Sequence, residues 1–128
     1  MQKLFLTIGT LLAGLSVALG AFGAHGLKDR VAPEVIATYQ TGVHYQMYHA
    51  LALLVIGILS ERLLSSYIHY AGFLFLAGIV FFSGSLYLIV SFQAMSREIP
   101  KLVGIATPIG GLLFIIGWIL LLTGILKK

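Results

Sequence analysis

Residues Tyr39 to Leu59 read YQTGVHYQMYHALALLVIGIL, a run of polar rings that passes without a break into an apolar segment. No proline interrupts the chain after Pro33 until well beyond Ser60, and proline suits the first turn of a helix, so a helix is expected to begin near Pro33. One long tilted helix is one interpretation. We favour a short interfacial helix that bends near Gly42 into the membrane, because its first residues are too polar for hydrocarbon. These polar residues are Glu34, Thr38, Gln40 and Thr41.

The composition of the whole chain has the same membrane character. Of its 128 residues, 59% are hydrophobic and 9% are charged, and the mean hydropathy is +1.04. Soluble domains carry about 25% charged residues. The formal charge of +4 sits near the ends of the apolar runs, which suits anionic lipid headgroups rather than nucleic acid. Cysteine is absent, so disulfides and thiolate metal sites are excluded.

Four apolar runs predict an all-α integral membrane bundle of four transmembrane helices, a single domain over residues 1–128. The expected spans are approximately 4–24, 42–60, 70–92 and 102–126, with the short interfacial helix between the first two. The first run resembles a signal peptide, but it is longer than the usual apolar region of about 7 to 15 residues, so we expect a retained span.

The orientation of the bundle depends on basic residues at the span ends. With four spans, both termini share a side with the second loop. The basic residues are Lys3, Arg62, Lys127 and Lys128 on that side, and Lys28, Arg30, Arg97 and Lys101 on the other. The counts are equal, acidic residues contribute little, and the amino terminus adds slightly to the first group. We therefore expect cytoplasmic termini in a multi-pass protein of the cell membrane.

Glycines recur at spacings that favour close helix contacts. Gly110, Gly117 and Gly124 are seven residues apart, as are Gly104 and Gly111. A repeat of seven keeps one helix face aligned along a left-handed crossing, and small residues let backbones approach. The predicted packing glycines are Gly20, Gly23, Gly84, Gly104, Gly110, Gly111, Gly117 and Gly124.

Polar side chains gather on one side of the predicted bundle. Alternating span directions bring the end of span one, the start of span two, the end of span three and the start of span four together. Intramembrane polar residues are candidates for function, although they also act as interfacial belts or as packing groups between helices, and both interpretations remain open. The candidate binding residues of this polar layer are His25, His44, Tyr45, Tyr48, His49, Ser83, Ser85, Tyr87 and Thr107.

The spacing inside span two refines this prediction. His44 and Tyr48 are four residues apart, as are Tyr45 and His49, so two ring pairs are expected on neighbouring helix faces. His44 and His49 differ by about 140° around the helix and cannot share one ion. We therefore predict no metal site.

Four motifs carry a resemblance to a known family. They are GAFGAHGL (Gly20–Leu27), YQMYHALALL (Tyr45–Leu54), FSGSLY (Phe82–Tyr87) and TPIGG (Thr107–Gly111). In this order the motifs resemble the domain of unknown function 423 family, whose eukaryotic relatives include transmembrane protein 256. The resemblance implies a four-helix protein of a bacterial cytoplasmic membrane, and it transfers no catalytic residue.

Three classes of function are compatible with these features. The first is membrane-embedded binding of a lipid or small amphiphile, or a structural role, with membrane lipids and a homo-oligomer as the expected partners. The second is a subunit of an oligomeric transporter or channel, although no span carries an Asp, Glu, Lys or Arg for ion coupling. The third is a haem protein or enzyme, for which no specific motif is present. We expect the first class, with no cofactor and no catalytic residue.

Overall fold

The described part of the protein consists of four long antiparallel helices. The computed structural model describes residues 1–127, and this part of the chain contains no strand. Lys128, one of the basic residues counted at the carboxyl terminus, lies outside the described residues. The helices are α1 (Gln2–Leu27), α2 (Pro33–Arg62), α3 (Ser66–Ala94) and α4 (Lys101–Lys127). All four are long and apolar enough to cross a membrane, which confirms the predicted all-α integral membrane bundle.

The second helix differs from the prediction because it is continuous. It runs for 30 residues from Pro33, with no separate interfacial helix and no break at Gly42. The threonines that we expected to be too polar for the span satisfy themselves within the helix, since Thr38 and Thr41 donate to the carbonyls four residues back. Gly42 serves as a close contact, because a methyl group there would lie 2.9 Å from the Tyr87 ring.

Two helices each contain one wider π-helical turn. The last five residues of α1, Gly23–Leu27, form one such turn, and Ile79–Ser83 in the middle of α3 form the other. A π turn accommodates one extra residue and often occurs at functional sites. Both turns lie beside the polar residues described below.

The helices pack in pairs through glycine. Gly9 of α1 lies against the Ala50 carbonyl of α2, where a methyl group would stand 2.9 Å away. Gly110 of α4 lies directly on the backbone nitrogen and Cα of Phe82 in α3, leaving no room for a methyl group. One and two heptads later, Gly117 and Gly124 lie similarly close to Phe75 and Ile68.

The other predicted packing glycines differ in their surroundings. Gly23 is buried against the Tyr39 ring, and Gly20 makes an ordinary contact of 3.6 Å with Val43. The structure corrects the expectation for Gly104, which is exposed, and a methyl group placed there would have no atom of another helix within 4 Å. Gly111 and Gly84 also lack a tight contact, their nearest atoms being 3.8 and 4.0 Å away. The heptad of Gly110 packs tightly on α3, whereas the heptad of Gly104 makes only the ordinary contact of Gly111 with the Phe82 ring.

Polar contacts join neighbouring helices at the end of the bundle where α1 begins and α4 ends. The Gln2 amide donates to the Glu61 carboxylate at 3.2 Å, and the Lys127 ammonium lies 5.3 Å from the centre of the Tyr67 ring. The core is built from apolar side chains of all four helices, among them Phe5, Leu53 and Phe75, each fully buried.

Candidate functional site

The polar layer reaches the middle of the bundle. Because α2 begins at Pro33, His49 lies about 24 Å along the helix from that end and about 20 Å from Arg62. The His49 ring stacks on Phe114 with centroids 3.5 Å apart, and Phe114 is the central residue of α4. His49 therefore lies near the middle of both α2 and α4.

His49 is buried and uses both ring nitrogens. Its Nδ1 lies 2.8 Å from the Tyr45 carbonyl, and the Trp118 Nε1–H donates to its Nε2 at 3.1 Å. A carbonyl only accepts and an indole N–H only donates, so these partners assign a neutral imidazole with its proton on Nδ1. This histidine joins α2 to α4 as a packing group, with no free nitrogen for a ligand.

Gln46 forms a second polar connection, which joins three helices. Its Nε2 donates to the Leu12 carbonyl of α1 at 3.0 Å, and the Tyr87 hydroxyl of α3 donates to its Oε1 at 2.7 Å. The Tyr39 hydroxyl donates to the Leu19 carbonyl next to this network. Gln46, Tyr39 and Trp118 were not among the predicted site residues. One feature of the sequence could have identified Gln46. It lies among the rings of YQMYH inside a membrane span, where a buried amide needs a hydrogen-bond partner.

The predicted hydroxyl residues of α3 and α4 also form contacts between helices. Ser83 is fully buried in the π turn and donates to the Gly42 carbonyl of α2 at 2.7 Å. The hydroxyls of Ser85 and Thr107 are 2.5 Å apart, and Ser85 also donates to the Phe82 carbonyl. Among the residues described, no buried side-chain nitrogen or oxygen lacks a hydrogen-bond partner. The buried polar side chains therefore already have hydrogen-bond partners within the bundle.

The remaining predicted residues lie on the surface of the bundle. His25, His44, Tyr45 and Tyr48 are exposed. Both predicted ring pairs are present, with centroids 6.3 Å apart for His44 and Tyr48 and 6.2 Å apart for Tyr45 and His49. Within residues 1–127, no three His, Cys, Asp or Glu side chains lie together as metal ligands. The predicted set thus divides into an interior group and an exposed group.

A groove with a volume of about 560 Å³ opens between the end of α1, the start of α2 and the end of α3. Of the predicted residues only Tyr87 lines the groove, together with Tyr39 of α2. Arg30, from the loop between α1 and α2, is the only charged residue in its lining. The lining consists of Leu19, Phe22, Leu27, Arg30, Tyr39, Tyr87, Val90, Ser91, Ala94 and Met95.

The depth of the groove follows from the helix positions. Tyr87 lies about 10 Å along α3 from its end at Ala94, and Leu19 about 12 Å along α1 from its end at Leu27. The groove therefore extends from the loops, where Arg30 lies, to a level well inside the apolar part of the bundle. A cavity of this size is within the usual range for small-molecule sites, about 300 to 1,000 Å³.

Known proteins resemble the chain along nearly all of its length. The family described as "Protein of unknown function (DUF423)" matches residues 19–111, which include all four motifs. A UPF0382 membrane protein of Staphylococcus aureus (strain bovine RF122 / ET3-1) is 47% identical over 126 residues, 98% of each chain. The UPF0382 membrane protein YwdK of Bacillus subtilis (strain 168) is 42% identical over 127 residues, again 98% of each chain. No solved structure matches. The resemblance is confirmed, and this four-helix membrane protein belongs to the DUF423 family.

Proposed function

We propose that the protein binds an anionic lipid in the groove between α1, α2 and α3. The observation that carries the proposal is the combination of an apolar groove with one cationic side chain, Arg30, in its lining at the loop end. Arginine recognises phosphate and carboxylate groups through its planar fork of N–H donors. The lipid headgroup contacts Arg30, and the first part of an acyl chain lies along Leu19, Phe22 and Val90.

The hydrogen bonds of the interior support the groove rather than the polar layer as the binding site. His49, Ser83 and Gln46 already have partners in the bundle. A ligand that reached them would have to break existing hydrogen bonds. In the groove, the Tyr39 and Tyr87 hydroxyls donate inward to the protein. Their rings form a fixed floor for an acyl chain, and the interior network holds that floor in place.

The proposal also includes the location of the protein, the bacterial cytoplasmic membrane, and its orientation, with cytoplasmic termini. The named relatives are bacterial, which supports the cytoplasmic membrane of a bacterium. Basic residues are equally divided between the two sides, whereas the loops on the groove side carry more acidic residues, Asp29, Glu34 and Glu98 against Glu61. Acidic residues have a small effect, and it favours cytoplasmic termini. The groove then opens to the outer leaflet.

The test measures lipid retention by native mass spectrometry. Protein is released from nanodiscs containing equal amounts of phosphatidylglycerol and phosphatidylcholine. We expect wild-type protein to retain phosphatidylglycerol about fivefold more often, and Arg30→Gln to lose this preference because a single charge contact is worth roughly 1 kcal/mol. Arg97→Gln is the matched control, because Arg97 lies on the same side and is absent from the groove lining.

A second variant tests the apolar part of the groove. Ser91→Phe places a ring inside the groove and is expected to lower retention of both lipids. Equal retention of the two lipids by wild-type protein, or a loss of preference in Arg97→Gln as large as in Arg30→Gln, would contradict the proposal.

A further inference from the structure

A continuous exposed stripe runs along α2 on the side away from the core. Its members alternate at spacings of four and three residues, forming two interleaved heptad series, 37, 44, 51, 58 and 41, 48, 55, 62, and all of them are exposed. Alternation of this kind is the pattern of a seam between two helices in a left-handed pair. The stripe consists of Ala37, Thr41, His44, Tyr48, Leu51, Val55, Ile58 and Arg62.

The centre of this stripe is polar although it lies at the centre of the membrane-spanning part. Tyr45 stacks near Phe114, the central residue of α4, with centroids 6.3 Å apart, which fixes the level of this part of α2. His44 and Tyr48 are within about 5 Å of that level along the helix. Tyr48 is 56% exposed and His44 is exposed as well.

Lipid is a poor environment for these two side chains. Hydrocarbon offers no hydrogen-bond partner to an imidazole or a phenol, and polar residues at this depth normally face protein or a wet cavity. Tyr48 is about 21 Å from Arg62 at one end of α2 and about 22 Å from Pro33 at the other, so both ends of the helix lie beyond the reach of its side chain. A protein surface with complementary polar groups would satisfy them.

We propose that the exposed stripe of α2 is the contact surface for a second copy of this chain. In a parallel pair related by a twofold axis along the membrane normal, the same residues meet at the same depth. A helical side chain points back toward the amino terminus of its helix, so Tyr48 of one copy reaches toward the level of His44 of the other. The Tyr48 hydroxyl donates to a ring nitrogen of His44, and the symmetry repeats this hydrogen bond.

The sequence of the stripe fits this pairing. The central pair supplies one donor and one acceptor per chain, so the surface is complementary to itself. Leu51, Val55 and Ile58 continue the seam with apolar side chains that are each about half exposed. A polar residue at one level of an apolar seam specifies register. The groove residues are not part of this stripe, so the inference stands apart from the proposed lipid site.

Cysteine crosslinking in membranes tests the contact, and the chain has no cysteine of its own. We expect Leu51→Cys and Ile58→Cys to form a disulfide-linked dimer on mild oxidation. The matched control is Val80→Cys, which lies at the centre of α3 and is 68% exposed. It should form no disulfide-linked dimer. Equal dimer formation at Val80, no dimer at Leu51, or crosslinking of Leu51→Cys to a different protein would overturn the proposal.

The polar pair is tested by the dissociation constant of the dimer, measured by energy transfer between labelled copies diluted in liposomes. Tyr48→Phe keeps the ring and removes the hydroxyl, and we expect it to weaken the dimer about five- to tenfold for two lost hydrogen bonds. His44→Phe should have a similar effect. The double variant should be no weaker than either single variant, because both remove the same hydrogen bonds.

Tyr70→Phe is the matched control for these variants. Tyr70 is 59% exposed on α3, outside the stripe, and its variant should leave the dissociation constant unchanged. Unchanged dimers in Tyr48→Phe, or additive losses in the double variant, would contradict the pairing of these two side chains.

Discussion

His49 shows how a polar side chain is held at the centre of this bundle. One ring nitrogen bonds to its own helix, the other accepts from Trp118, and the ring face lies on Phe114. The same residue that marks the segment as a functional candidate in the sequence is therefore a contact between α2 and α4. Its neutral form follows from its partners, because a protonated ring would present a donor to the Trp118 N–H.

Replacement of His49 should reduce stability more than replacement of an exposed histidine. His49→Ala removes two hydrogen bonds and a stacked ring, and it leaves the Trp118 N–H without its acceptor. We expect the free energy of unfolding to fall by about 2 kcal/mol. His25→Ala, at an exposed position, should change it by less than about 0.5 kcal/mol. Equilibrium unfolding of the purified protein in mixed micelles measures both, and equal effects would contradict the assigned role.

The contact between Gln46 and Tyr87 predicts coupled substitutions. Tyr87→Phe leaves the Gln46 oxygen unpaired inside the bundle, and Gln46→Leu leaves the Tyr87 hydroxyl unpaired. Each single variant is expected to cost about 1 kcal/mol of unfolding free energy. The double variant should lose about 0.5 to 1 kcal/mol less than the sum of the two single variants. The reason is that both polar groups are then removed and neither is left unpaired.

The control for this cycle is a pair of residues that do not touch. Tyr87→Phe combined with Thr123→Val should be additive, since Thr123 bonds to its own helix near the other end of α4. Additivity within the Gln46 and Tyr87 cycle would show that the two side chains act independently, contrary to the 2.7 Å hydrogen bond.

At the scale of helices, Gly110 and Gly104 represent the two glycine heptads of α4 and have different environments. Gly110 lies on the Phe82 backbone, whereas a methyl group on Gly104 would meet no atom of another helix within 4 Å. The spacing of seven residues predicts both glycine heptads of α4. It does not show which of them packs on α3, because both have the same spacing. In the structure Gly110 is the glycine that meets the backbone of Phe82, a residue of the π turn of α3.

Alanine substitutions at these two glycines should separate the heptads. Gly110→Ala forces α3 and α4 apart and is expected to cost about 2 kcal/mol of unfolding free energy, within the range for overpacked cores. Gly104→Ala meets no neighbouring atom and should be neutral or slightly stabilising, since alanine favours a helix over glycine. Thermal unfolding of the two variants measures the difference. A loss of stability in Gly104→Ala as large as in Gly110→Ala would contradict the geometry.

At the scale of the molecule, the sequence predicts the class of fold better than the site. The four apolar runs, the start of α2 at Pro33 and the ring pairs of α2 follow from composition and helical spacing. The continuity of α2 does not, because threonine side chains satisfy their own helix and Gly42 packs instead of bending. The groove could not be predicted either, since its lining combines side chains from three helices and a loop.

The orientation of the whole bundle is the last expectation, and the absence of cysteine makes it directly testable. Ser66 at the start of α3 and Glu98 between α3 and α4 are both exposed and lie at opposite ends of the bundle. If the termini are cytoplasmic, Glu98→Cys should react with a membrane-impermeant maleimide in intact cells. Ser66→Cys should react only after permeabilisation, because the loop between α2 and α3 shares its side with the termini.

The labelling pattern also decides which leaflet supplies a lipid to the groove. The groove opens beside the loop that carries Arg30, at the same end of the bundle as Glu98. Labelling of Glu98→Cys in intact cells would mean that the groove opens to the outer leaflet. The reverse pattern would invert the proposed orientation and move the groove to the inner leaflet. Equal labelling of both variants in intact cells would mean that the chain inserts both ways, which the equal division of basic residues permits.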